Sequence, residues 1–190
     1  LIGLPPRVEV RPHQALGEVV AREALKQVGT GGRIFLMQRD TVLYPNPAAA
    51  AQVQAFHRTL RKAGGSVAGT NVVKIDPLRV LSAPPGDFFQ LLKKTSEADV
   101  VVSFLGPPVL SADQLGKLGG KIPKIVAVCS GAMPAQVDLK RAFESKLLHA
   151  AVLSRADAAV TPPGTDNSQA WFDHYFVLAN SADMVTSAPT

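Results

Sequence analysis

The stretch Asp99-Val100-Val101-Val102-Ser103-Phe104-Leu105 decides how this chain is read. Three consecutive valines and the following Phe and Leu make a run that is apolar on both faces. β-Branched side chains favour extended backbone. A short run with no polar alternation fits a strand buried on both sides, as in a parallel sheet covered by helices. Gly106-Pro107-Pro108 ends it.

Outward from that strand, apolar runs alternate with helical periodicity. The spacing of Leu16, Val19, Val20, Leu25 and Val28 predicts a helix from His13 to Val28, stopped by Gly29, Gly31 and Gly32. Ile34-Phe35-Leu36-Met37 marks a strand over Arg33 to Gln38. Asn46 caps the next helix, with Pro47 at its first position and Gly64-Gly65 at its end. Ser66 to Ile75 is a second strand, weakened by Gly69. A Pro-rich loop from Asp76 to Gly86 follows, and Asp87 is expected to cap a helix bearing Phe88, Phe89, Leu91 and Leu92. Ser111 and Gln114 form a capping box for a short helix ending near Gly119. Ile122 to Val128 is a further strand, Met133 to Lys146 reads as helix, and Leu147 to Leu153 as a fifth strand. For Trp171 to Ala179 periodicity leaves helix and strand open.

This order predicts α/β architecture, a doubly wound, mostly parallel sheet. The 190 residues, 46% hydrophobic and 18% charged, suffice for one core. We expect residues 1–190 to form a single α/β lobe, with 156–190 as a C-terminal return segment packing on it.

Net charge is +5. The cations Arg22, Lys26, Arg61, Lys62, Lys93, Lys94 and Lys117 fall near predicted helix ends, where they complement the helix dipole. They are not interleaved with aromatics, so no nucleic-acid partner is expected. The single cysteine, Cys129, allows no intrachain disulfide, and the four histidines show no ligand spacing, so neither metal nor cofactor is expected. Gly29-Thr30-Gly31-Gly32 precedes a strand instead of following one, which is the wrong order for a dinucleotide fingerprint. The chain opens on Leu1, and it holds no apolar stretch of about 18 residues, so no direct membrane insertion is expected.

In such a sheet, ligands bind beyond the carboxyl ends of the strands. That edge would carry Gln38, Asp40, Tyr44, Asp76, Phe104 and Ser130, and these are the candidate ligand-binding residues. Arg39 and Tyr44 beside Asp40 offer a charge, a hydrogen-bond donor and a stacking face. Val128-Cys129-Ser130-Gly131 follows a strand and precedes a helix, where nucleophiles are often exposed. A hydrolase-like or flavodoxin-like enzyme using Cys129 or Ser130 is therefore one alternative, with His149 or His174 as base. A scaffold lobe for protein contact is another. The aromatic cluster Trp171 to Phe176 is read as packing a terminal element on the core.

Leu16-Gly17-Glu18-Val19-Val20, Gly32-Arg33-Ile34-Phe35-Leu36 and the helix Ala55 to Gly64 together resemble the second lobe of type I periplasmic binding proteins, a lobe shared with lactose-repressor-type effector domains. Asp99 to Val102, Pro123 to Val128, Leu148 to Leu153 and Phe176-Val177-Leu178 with Asn180 match its later strands. The resemblance implies a Rossmann-like lobe that binds a small solute, sugar-like or otherwise polar, without catalysis. It also implies a periplasmic location, with a membrane transporter or a partner lobe as partner. The sugar-contact residues of that family are not retained: Gln52 stands where an arginine is usual, Leu105-Gly106 for Asn-Asp, Ser130 for Asp, and Ser154-Arg155 for a Gln.

Overall fold

The computed structural model describes residues 8–43, 45–75, 83–131, 133 and 137–181. The elements run α1 (Arg11–Gln27), β1 (Ile34–Arg39), α2 (Pro47–Lys62), β2 (Val67–Val73), α3 (Pro85–Leu92), β3 (Val100–Ser103), α4 (Ala112–Leu118), β4 (Lys124–Cys129), α5 (Leu139–Glu144), β5 (Ala150–Ser154), α6 (Ser168–Tyr175) and β6 (Phe176–Asn180). The six strands form one sheet in the order β2-β1-β3-β4-β5-β6. β1 to β5 are parallel, and β6 lies antiparallel on β5. From β1 the chain moves outward to β2, then returns to the other side of β1 to form β3. The gap between the carboxyl ends of β1 and β3 is thus the topological switch point.

Alternation along the strands divides the core in two. Ile34, Leu36, Val100, Val102, Val126, Val128, Ala150 and Val152 face α1, α2 and α6, together with Leu16, Val20, Phe56, Leu60 and Trp171. Phe35, Met37, Val101, Ile125, Ala127, Cys129 and Ala151 face the opposite layer, with Phe88, Leu91, Leu92, Leu118 and Phe143. The valine run is buried on both faces for this reason.

Local chemistry sets most boundaries. Asn46 Oδ1 accepts the Ala49 N–H at 2.9 Å, starting α2. Ser111 and Gln114 close a reciprocal capping box on α4, which ends at Gly119 in the left-handed region. The glycines after α1 serve a close approach: Gly29 N–H donates to the Ala98 carbonyl at 2.9 Å, and a methyl on Gly32 would overlap that oxygen.

Three expectations are corrected. Asp87 does not cap α3; Pro84 holds the cap position and Asp87 lies in the first turn, where its charge suits the helix dipole. Met133 to Lys146 is not one helix: the Asp138 carboxylate accepts the Arg141 N–H at 2.9 Å, so α5 begins only at Leu139, and Lys146 at φ 57° ends the segment. Trp171 to Ala179 is both helix and strand, since Phe176 turns straight from the end of α6 into extended backbone.

Candidate functional site

β1 ends in two polar residues after four buried apolar ones. Gln38 continues the side of the sheet that faces α2, and Arg39 follows. They open a recess of about 120 Å³ at the switch point, walled by Thr41, by Ala49, Ala50, Val53 and Gln54 of α2, and by Phe104 just after β3. The small side chains Ala49 and Ala50 leave room at the start of α2. The Phe104 ring is held edge-on by the buried Phe56, with centroids 5.8 Å apart. Its backbone N–H donates to the Met37 carbonyl at 2.9 Å, tying the two strand ends together.

Two polar atoms here are buried without a hydrogen-bond partner among the described residues: Gln38 Oε1 and Arg39 Nε. Buried polar groups are otherwise almost always paired, and leaving one unmade costs about 1–3 kcal/mol. Both atoms lie at the carboxyl end of β1.

Of the residues expected at this edge, Gln38 and Phe104 line the recess. Asp40 sits beside it, half-buried, but its carboxylate is committed to the loop: Oδ1 accepts the N–H groups of Val42 at 2.8 Å and Leu43 at 3.2 Å. Ser130 lies past β4, two strands from β1, so about 10 Å across the sheet. It does not line the recess. Tyr44 and Asp76 lie outside the described residues. Arg39 carries the charge of the recess, whereas its sequence role was support for Asp40. Thr41 and Gln54 were not singled out. Their signal was positional: Thr41 lies in the first strand-to-helix connection of the sheet, and Gln54 about two turns into the helix that follows.

Among the described residues, the chain after β3 leaves no opening of its own. Leu105 is 2% exposed, and Gly106, Pro107 and Pro108 are buried. Gly106 adopts φ 79° with the Met133 thioether packed against it. The Ser154 hydroxyl accepts the Gly131 N–H at 3.1 Å, engaging the ends of β4 and β5 with each other. Gln52 points away: its Nε2 donates to His13 Nδ1 at 3.1 Å in the α1–α2 interface.

Nucleophilic chemistry finds little support. Cys129 is fully buried, which pushes its thiol up to about 12, far from a reactive thiolate. His149 pairs with the start of β4, its N–H donating to the Ile125 carbonyl. That is four residues from Cys129, or about 13 Å along the strand. His174 Nε2 meets the Ala159 carbonyl at 2.9 Å. Among the described residues no group of three or more His, Cys, Asp or Glu is placed to hold a metal ion, and no helix is long and apolar enough to cross a membrane.

No protein-family model and no curated protein matches this chain. Solved structures do. A galactofuranose binding protein superposes with a TM-score of 0.58 at 12% identity, covering 95% of this chain and 66% of its own. The XylFII–LytSN complex gives 0.56 at 13% identity, covering 90% and 60%. The periplasmic component of an ABC-type sugar transport system from Hahella chejuensis gives 0.52 at 16% identity, covering 75% and 49%. The chain therefore has the fold of a periplasmic binding-protein lobe, and it spans between about half and two thirds of the length of these neighbours.

Proposed function

We propose that this chain is a non-catalytic solute-binding lobe that takes a small polar molecule at the β1–β3 switch point. The observation that carries this reading is the recess itself, lined by Gln38, Arg39 and Phe104, with a buried polar atom on each of Gln38 and Arg39 that has no hydrogen-bond partner among the described residues. A few convergent polar groups on an apolar wall are what a small-ligand site requires. Binding there is noncovalent, and no cofactor takes part. The supporting likeness is to proteins named for sugar binding and sugar transport.

A recess of about 120 Å³ is smaller than the roughly 300–1,000 Å³ that enclose a whole ligand. In this reading it is half of a cleft, and a partner lobe covers the solute from above. The whole chain acts as one lobe, with residues 156–190 folded back onto it. By the same reading the molecule works in the periplasm and hands its solute to a membrane transporter.

A thermal-shift screen across sugars, amino acids and nucleosides tests this. A solute at 100 times its Kd adds about 2.7 kcal/mol to stability. The expected result is a shift for at least one class that Phe104→Ala abolishes. A flat response across all three classes contradicts the reading and favours a lobe that only contacts protein.

A further inference from the structure

We propose that the solute carries a carboxylate, and that Arg39 receives it while Phe104 packs against the rest of the molecule. This rests on the solute-binding reading and names the chemical class.

Arg39 is the one charged residue lining the recess, and it has no ion-pair partner among the described residues. A guanidinium is always charged, and its planar fork matches a carboxylate bidentately. The neighbouring acid forms no ion pair with it: Asp40 Oδ1 is turned to the amides of Val42 and Leu43. The wall opposite is the first part of α2, with no acidic residue in its first turn, so the positive end of the helix dipole adds to the same field. The remaining polar groups, Gln38, Thr41 and Gln54, are neutral. One fixed cation with neutral hydrogen-bonding partners suits a monoanion better than a phosphate dianion.

Size agrees. Water occupies about 30 Å³ in the liquid, so about 120 Å³ admits an acid group and the atoms next to it. The body of the molecule is left at the mouth, against Phe104.

Titration calorimetry at low salt with D-galacturonate, D-galactose and glucose 6-phosphate tests the proposal. Galacturonate should bind about 10-fold or more tighter than galactose. Raising the salt should weaken galacturonate and leave galactose unchanged. Arg39→Gln should erase the preference, and Arg39→Lys should keep part of it. The salt series on the unmodified chain serves if either variant fails to fold. Galactose binding as tightly as galacturonate, with Phe104→Ala removing both, overturns the carboxylate and leaves the solute-binding site standing. Tighter binding of the phosphate ester overturns the carboxylate as well. No binding of any of the three overturns this assignment, and the thermal-shift screen then decides whether the broader reading falls with it.

Discussion

Asp99 is 1% exposed, yet it is held ionised. Burial pushes its carboxyl up, but hydrogen bonds from Arg33 and Ser96 outweigh that and hold it down to about 2. Oδ1 accepts the Arg33 N–H at 2.7 Å, and Oδ2 accepts the Ser96 N–H at 2.7 Å and the Arg33 guanidinium at 3.0 Å. The group thus joins the start of β1 to the turn before β3. His149 behaves oppositely: burial first, then the charges of Lys124 and Lys146, lower it to about 4. Its Nδ1 accepts the Ile125 N–H at 3.1 Å, which requires the neutral ring.

The signs follow from linkage. Between about 6.5 and 4 the unfolded chain binds a proton at His149 that the folded chain refuses, so stability falls as pH drops through that window. Asp99 contributes stability above its unfolded value of 3.8, lost as pH falls toward about 2. Urea melts across pH 7 to 2 should show both losses. His149→Asn, whose Oδ1 can still accept the Ile125 N–H, should flatten the first. Asp99→Asn should cost roughly 2–3 kcal/mol at pH 7 and flatten the second. Unchanged pH profiles in both variants would contradict these assignments. At this scale the sequence revealed little. Asp99 was legible as the start of a strand, but its partner Arg33 is 66 positions away, and no local pattern encodes that pairing.

Among the elements, α1 and α2 approach each other closely at Gly17. A methyl there would overlap the carbonyl oxygen of Gln52. Gly17→Ala should therefore cost at least roughly 1–3 kcal/mol, as overpacking does. Gly116 in α4 offers the contrast: nothing lies within 4 Å of an added methyl, and its backbone is ordinary helix. Gly116→Ala should stabilise by roughly 0.5–1 kcal/mol. Chemical denaturation of the two variants checks both signs, and equal effects would contradict the crossing. Element existence was readable where chemistry is local, as with the Asn46 cap and the Ser111–Gln114 box. It failed where short-range signals compete. Asp138 is both a polar interruption and a cap, and only the folded backbone shows that α5 starts after it. The apolar stretch around Phe176 carried no period, because helix and strand share it.

For the whole molecule, the strand order is what places the recess. β1 ends in Gln38 and Arg39 beside the recess, whereas the chain after β3 is buried from Leu105 to Pro108 and the ends of β4 and β5 are joined by the Ser154–Gly131 hydrogen bond. The sheet, and the edge that carries the recess, were legible from the alternation of apolar runs and helices. Which part of that edge stays open was not, because it depends on side chains from α2 and β3 meeting across the switch point. Gln38 and Phe104 meet there; Ser130 shares the edge but not the recess.

The most direct measurement is amide chemical-shift mapping by ¹H–¹⁵N NMR as the chain is titrated with the strongest solute from the screen. Shifts concentrated on Gln38, Arg39, Thr41, Gln54 and Phe104 are predicted. Shifts centred instead on the groove between α1, α6 and β6, with the β1–β3 edge unmoved, would contradict the account.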